Sequence, residues 1–249
     1  MSAPMRKLAA LFLSILALAA QPAVGQTVVY QEVIEEVLEA PATGSERFVE
    51  SHPEAMAAPE RELPRGLAQF GPFRVLDATH AALVDATDTR SPAQFSAMLR
   101  AWPGIRTLEM IECPGTDDDR ANLRVGVMIH DLGIATHVPD GGSVRSGAVE
   151  LFLAGVRRTA DSGAEFAVHS WADEFGLEPK DYAPNAPENK VYLDYYRRMG
   201  MNDAEARAFY AMTNSVPNAD AKWLDSAEMA RWVRLDAPAE PVDSKVAVN

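Results

Sequence analysis

The sequence predicts an α/β protein, a largely parallel sheet wrapped by helices, and three observations carry that expectation. Between residues 71 and 170, strand-like apolar runs take turns with runs at helical spacing, the order of a chain that returns to one sheet after each helix. The helical runs are punctuated as helices are, with Pro92 in a first turn and Gly133 at a stop. A chain of 249 residues that is 47% hydrophobic also has enough apolar material for one sizeable core. Parallel neighbours joined in this way take right-handed crossovers.

Element by element, Arg6 and Lys7 precede the apolar run LAALFLSILALAA at 8–20, and the small residues Ala23 and Gly25 follow. That is the layout of a secretory signal peptide over 1–25. The run of thirteen residues falls short of the roughly 20 needed to cross a bilayer. The mature chain is therefore expected to be exported, periplasmic or secreted, and not membrane-spanning. Residues 26–70, rich in Ala, Pro and Glu, read as an extended lead-in with one short helix or strand at 29–40. Two strand-like runs fill 71–86. Ser91 as cap and Pro92 in the first turn open a helix over 91–102. A strand over 106–113 ends at Pro114-Gly115, and a helix over 117–133 leads to a strand at 134–138. A glycine-rich turn, a helix at 146–158 and a strand at 164–169 come next. A helical insertion at about 171–213 holds helices over 187–199 and 203–213, and a short helix starts at Ser226. The folded domain spans 71–236, and 237–249 reads as a flexible tail.

With 23 basic against 36 acidic residues the net charge is -13, which excludes nucleic-acid binding, since that needs a basic face. The chain has no phosphate-cradling glycine loop and no residue pair at zinc-ligand spacing, so no cofactor and no metal are expected. Cys113 is the single cysteine. No intrachain disulfide can form, and without a basic neighbour the thiol reads as a buried hydrophobe.

Ligands of parallel α/β folds collect at the carboxyl ends of strands, where helix N-termini present free N–H groups. Gly115 follows the strand 106–113, Ser146 lies between the strand 134–138 and a helix, and His169 closes the strand 164–169. A serine nucleophile needs a base, a group that orients the base, and backbone donors for the oxyanion. His169 is the candidate base, and Gly115 and Gly147 are candidate donors because a bare backbone admits a substrate. Ser146 has a second reading, a helix N-cap without chemistry, and His169 has one as a core histidine. Asp117, Asp118 and Asp119 stand at a helix start, where the dipole favours carboxylates, and read that way rather than as a metal site. His130 and His137 read as structural, and Tyr192, Tyr195, Tyr196, Phe209 and Tyr210 as helix packing.

Pro114-Gly115 ahead of a helix, a strand running into His137-Val138-Pro139-Asp140-Gly141-Gly142, Ser146 before a helix that ends Ala154-Gly155, and a strand closed by His169 form a combination. It resembles the Clp protease proteolytic subunit of the crotonase-like superfamily, over about residues 70–236. The resemblance implies a crotonase-like (Clp protease-like) spiral of mostly parallel strands wrapped by helices. It also implies a serine hydrolase acting on a peptide or other acyl bond, with Ser146 attacking, His169 as base, and Gly115 and Gly147 holding the oxyanion. The family's acid precedes a helix start like Ser226-Ala227-Glu228. Its aligned position falls at Lys222, and Asp220 is preferred to Asp225, Asp173 and Asn214 as the orienting group. Where the family carries two glycines after the proline, this chain has Gly115 and Thr116. Family members assemble into rings or trimers, so a homo-oligomer is implied. Three other readings stay open: a crotonase-type acyl-CoA enzyme, which export disfavours; serine–lysine chemistry through Lys180 or Lys190; and a non-catalytic relative serving as a binding or assembly module. The insertion at 171–200 is either a lid over the site or a cover that closes it.

Overall fold

The computed structural model describes residues 47–49 and 63–237; the signal-peptide stretch, the 29–40 element and the tail after Ala237 lie outside them. Strands β1 (Arg47–Phe48), β2 (Ala68–Phe70), β3 (Phe73–Val75) and β4 (His80–Leu83) precede helix α1 (Ser91–Ala101). Then come β5 (Thr107–Met110), β6 (Glu112–Cys113), β7 (Gly115–Thr116), α2 (Asp119–Asp131), β8 (Ala135–Val138), β9 (Ser143–Arg145) and α3 (Ala148–Leu153). The chain continues through β10 (Arg158–Ala160), β11 (Glu165–Val168), α4 (Pro187–Arg198), α5 (Asp203–Thr213), β12 (Lys222–Asp225) and α6 (Ser226–Met229).

Two main sheets share these strands apart from β1 and β7, which pair as a separate two-stranded sheet. The larger has the order β10-β8-β5-β4-β3-β2, parallel from β10 to β4 and antiparallel from there to its edge. The smaller has the order β12-β11-β9-β6, parallel except for β12. Consecutive strands alternate between the sheets: β5 then β6, β8 then β9, β10 then β11. Each turn of the chain thus lays one strand in the large sheet and one in the small sheet before a helix or the insertion carries it on. The result is the expected α/β class, a spiral whose inner pairings are parallel and whose edges are antiparallel. Three successive turns leave the small sheet side by side, after β6, β9 and β11.

Local physics accounts for most elements. The Asp118 side chain accepts from Ala121 N–H at 2.9 Å and caps α2, and Gly133 with φ 65° ends its run. Phe95 of α1 packs on Phe73 at 5.1 Å between ring centroids, and Phe152 of α3 on Phe166 of β11 at 5.0 Å. Four expectations are corrected. Ser91 is not the cap of α1: Arg90 holds that position, and Ser91 Oγ instead accepts from Asp88 N–H at 2.8 Å. Helix α3 stops at Leu153, because the chain beyond Gly155 pairs with β8 as β10 rather than extending the helix to Arg158. β9 falls in what reads as a turn, and β12 pairs with β11 where no strand was expected. The lead-in also contributes structure: β2 joins the large sheet and β1 pairs with β7.

The insertion belongs to the core. Tyr192 Oη donates to Asp119 Oδ2 at 2.6 Å, Tyr195 Oη to Glu150 O at 2.6 Å and Tyr196 Oη to Glu150 Oε1 at 2.9 Å. The first and third of these bonds each give one oxygen of a buried carboxylate, on α2 and α3, a donor that burial would otherwise deny it. Phe209 of α5 is fully buried, worth about 2 kcal/mol, so α4 and α5 are anchored rather than hinged. Cys113 is buried with its Sγ 3.5 Å from Leu83 O, and burial, with Glu112 beside it, pushes the thiol well up.

His137 of β8 bridges two strands, with Nδ1 2.6 Å from Glu109 Oε2 and Nε2 3.3 Å from Asp161 Oδ1. The Glu109 hydrogen bond, aided by Asp161, raises its pKa against partial burial. A raised folded-state value stabilises the fold fully below the usual histidine pKa, and that contribution is lost as pH climbs through the higher folded value. Thermal melts between about pH 6 and about pH 9 should therefore fall more steeply for the wild type than for His137→Ala. Parallel pH slopes would show that the pair contributes nothing.

Candidate active site

The small sheet positions the site. The register Arg145↔Ala167 sets the residue after β9 beside the end of β11, and Ser146 N–H donates to Ala167 O at 2.8 Å. Ser146 then takes φ 52°, the only positive φ outside glycine among the described residues. That conformation costs an L-residue about 1–2 kcal/mol and turns the chain from strand to helix within two residues. A strained serine at a strand-to-helix turn is how a nucleophile is held proud of a sheet. The hydroxyl does not cap α3: Gly147 is the N-cap residue, with no side-chain cap bond. Ser146 Oγ lies instead 2.5 Å from His169 Nε2, and both residues are 1% exposed.

On the other side of the imidazole, Asn218 Nδ2 is 3.2 Å from Nδ1 and donates to Ser170 O at 2.9 Å. Asn218 N–H donates to Glu178 Oε1 at 2.9 Å, and Ser170 N–H to Val216 O at 3.0 Å. The loop after α5 is thereby stitched to the end of β11. Asn218, and not Asp220, is the residue delivered to Nδ1. Asp220 N–H closes a turn onto Pro217 O at 3.0 Å, which leaves its exposed carboxylate accepting from Ala221 N–H at 2.8 Å. The other candidates are engaged elsewhere. Asp225 caps α6 through Glu228 N–H at 2.7 Å, Asp173 accepts from Leu177 N–H at 2.8 Å and from Tyr182 Oη, and Asn214 Nδ2 donates to Tyr210 O at 2.7 Å. Lys180 is exposed and paired with Glu178 at 3.0 Å, and Lys190 is exposed. His169 holds the place at Ser146 Oγ that a lysine would need.

Gly115 and Gly147 lie in adjacent segments. Gly115 has φ 140°, a conformation that favours glycine, and its carbonyl accepts from Thr87 N–H at 3.2 Å. A Cβ on Gly147 would sit 2.6 Å from Thr116 Cγ2, so the two turns pack without room for a side chain. Thr87 Oγ1 is 2.8 Å from both Thr116 Oγ1 and Asn122 Oδ1, and Asn122 Nδ2 donates to Gly147 O at 2.6 Å. This buried network holds β7 against the Ser146-Gly147 turn. Arg145, buried just before the serine, is ion-paired with Glu112 on the neighbouring strand.

An amide nitrogen only donates, so with Asn218 Nδ2 facing it Nδ1 is an acceptor and the imidazole proton sits on Nε2, toward Ser146 Oγ. The arrangement is a serine and histidine in contact, with the histidine held in the tautomer that cannot take the serine's proton. Sequence reasoning missed Asn218 because it ranked candidates by their spacing from the aligned position at Lys222; the available signal was its place in Pro217-Asn218, just ahead of the residue preferred.

No family model matches the chain, and no curated protein matches it. Among solved structures it is similar to the 1510-N membrane-bound stomatin-specific protease in complex with a substrate peptide, at 12% identity and TM-score 0.45, over 66% of this chain and 75% of that one. A ClpP1 variant from Listeria monocytogenes gives 16% identity and TM-score 0.46, over 63% and 88%. A protein from Streptomyces coelicolor described as an enoyl-CoA hydratase gives 12% identity and TM-score 0.43, over 72% and 70%.

Proposed function

We propose that the protein is an exported serine hydrolase of the Clp-protease-like kind, cleaving a peptide or other acyl bond. The observation that carries this reading is Ser146 Oγ at 2.5 Å from His169 Nε2, on a serine held at φ 52°. In the proposed cycle Ser146 Oγ attacks the carbonyl carbon as its proton passes to Nε2. Backbone N–H groups of Gly147 and of the Gly115-Thr116 turn receive the oxyanion. Collapse expels the leaving group with the proton from His169, and a water deprotonated by the same nitrogen releases the acyl group from Ser146. The cycle needs no cofactor. It does need the proton on Nδ1 at its start, so the Asn218 amide must turn or withdraw, which makes Asn218 a positioning residue. Assembly into a homo-oligomer and export belong to the same reading, and sedimentation of the purified chain and fractionation of the producing cell test them.

A second reading, a non-catalytic binding or assembly module, draws on the near-complete burial of Ser146 and His169 and on the donor face of Asn218. A fluorophosphonate probe separates the two. An adduct mapped to Ser146 that vanishes in Ser146→Ala supports the hydrolase. A folded protein that stays unlabelled, even with the lead-in strand displaced as described below, supports the module.

A further inference from the structure

We propose that the chain's own strand β1 is a resident, displaceable occupant of the outer edge of β7, closing that edge to an extended peptide in this state. The naming of the peptide as substrate rests on the hydrolase reading of Ser146; the occupancy itself does not.

β7 has two edges. Thr87 takes one, donating its N–H to Gly115 O at 3.2 Å and accepting from Asp117 N–H at 2.8 Å. β1 takes the other, antiparallel, with Phe48 opposite Gly115 and Arg47 opposite Thr116. Val49 N–H donates to Pro114 O at 3.1 Å. Hydrogen-bonding positions alternate along an antiparallel ladder, so the next one after Val49 and Pro114 is Arg47 with Thr116. The Thr116 backbone amide, in the turn assigned to the oxyanion, is thus turned toward the backbone of β1. Thr116 is also the residue that Gly147 packs against, directly after Ser146. An extended peptide that is to present a carbonyl to Ser146 has this edge to lie on, by the same strand addition that β1 uses.

The occupant has the marks of a plug rather than of a permanent strand. It is two residues long, and so short a pairing is marginal by itself. Its side chains alternate, with Val49 buried and Phe48 39% exposed, as a strand laid over a site sends one side chain down and the next outward. It belongs to the same chain, so its pairing is intramolecular and a free peptide must compete with an occupant whose effective concentration does not fall on dilution. A longer peptide, with more ladder bonds to offer, can replace it, and so can cleavage of the lead-in.

The test uses the full chain and two variants. Val49→Pro removes the N–H that donates to Pro114, and Val49→Asp drives the buried side chain outward. Hydrogen exchange over residues 114–117 reads the edge, and fluorophosphonate labelling reads Ser146. Both variants are expected to exchange faster at 114–117 and to label about tenfold faster, because the fraction of open sites rises. A synthetic peptide spanning residues 45–52 should restore the protection and slow the labelling, whereas the same peptide with proline at the Val49 position should do neither. That rescue in trans is what a merely structural edge strand would not give. Unchanged exchange in both variants, or exchange that no added peptide reverses, overturns the displaceable occupancy. Labelling that is fast and equal in all forms overturns the closure while leaving the hydrolase intact. Exchange that responds to the variants and the peptide, with Ser146 unlabelled throughout, sustains the displaceable occupancy and removes the hydrolase reading.

Discussion

Alanine at His169 is expected to cut fluorophosphonate labelling of Ser146 by about a thousandfold or more, down to the level of Ser146→Ala, because members of such a unit fail together rather than additively. A serine hydroxyl is a weak nucleophile until a base takes its proton, and the group in place to do so is Nε2, 2.5 Å away. His169 is also buried, so truncation leaves a cavity, and a fall in stability alone would prove little. His169→Gln answers that. It fills most of the space and keeps a polar end, yet it supplies no base, so the melting temperature should be largely restored while labelling stays lost. Labelling that survives in His169→Gln would mean that the contact is a packing feature and that His169 is the core histidine of the rival reading.

The sequence pairs Ser146 with His169 through their spacing and the resemblance, and His169 is marked by the end of the apolar run that forms β11. The strand that Ser146 closes is not the 134–138 run but β9, which reads as a turn; β9 and β11 are parallel neighbours, and that brings their carboxyl ends together. The third member obeys no such rule. Asn218 is 49 residues beyond His169 and is placed by how the insertion packs, through the Tyr192–Asp119 and Tyr196–Glu150 bonds and the stitch from Ser170 to Val216. Spacing alone selected Asp220, but a turn in the backbone decides which side chain faces in.

The illegible strands share a cause. β1, β7, β9 and β12 are two to four residues long, too short to display a period, and they form because a partner strand awaits them rather than from propensity. The same tertiary override cuts α3 short. The apolar run continues to Val156, yet pairing of Arg158–Ala160 with Thr136–Val138 holds the chain in the sheet, where helix propensity would have carried it on.

Asn218→Asp should speed the labelling of Ser146 by about tenfold, a gain of about 1.4 kcal/mol. The wild-type amide presents a nitrogen to Nδ1, so the imidazole proton sits on the side facing Ser146. A carboxylate reverses that. It can only accept, so it draws the proton to Nδ1 and leaves Nε2 free as the base, and a hydrogen bond to an ionised acceptor contributes about 1.5–3 kcal/mol. Opposing it, the new oxygen meets Ser170 O, to which the amide nitrogen now donates at 2.9 Å. Two acceptors at that distance repel, which takes back part of the gain and moderates the expected factor. A neighbouring negative charge also favours the imidazolium, so the pH at which labelling sets in should move upward in the variant. Asn218→Ala, which frees Nδ1 without supplying an acceptor, should show no such pH shift. A variant slower than the wild type, with its pH profile unmoved, would mean that the stitch from Asn218 to Ser170 matters more than the tautomer, and that the amide holds the histidine in place instead of holding it back.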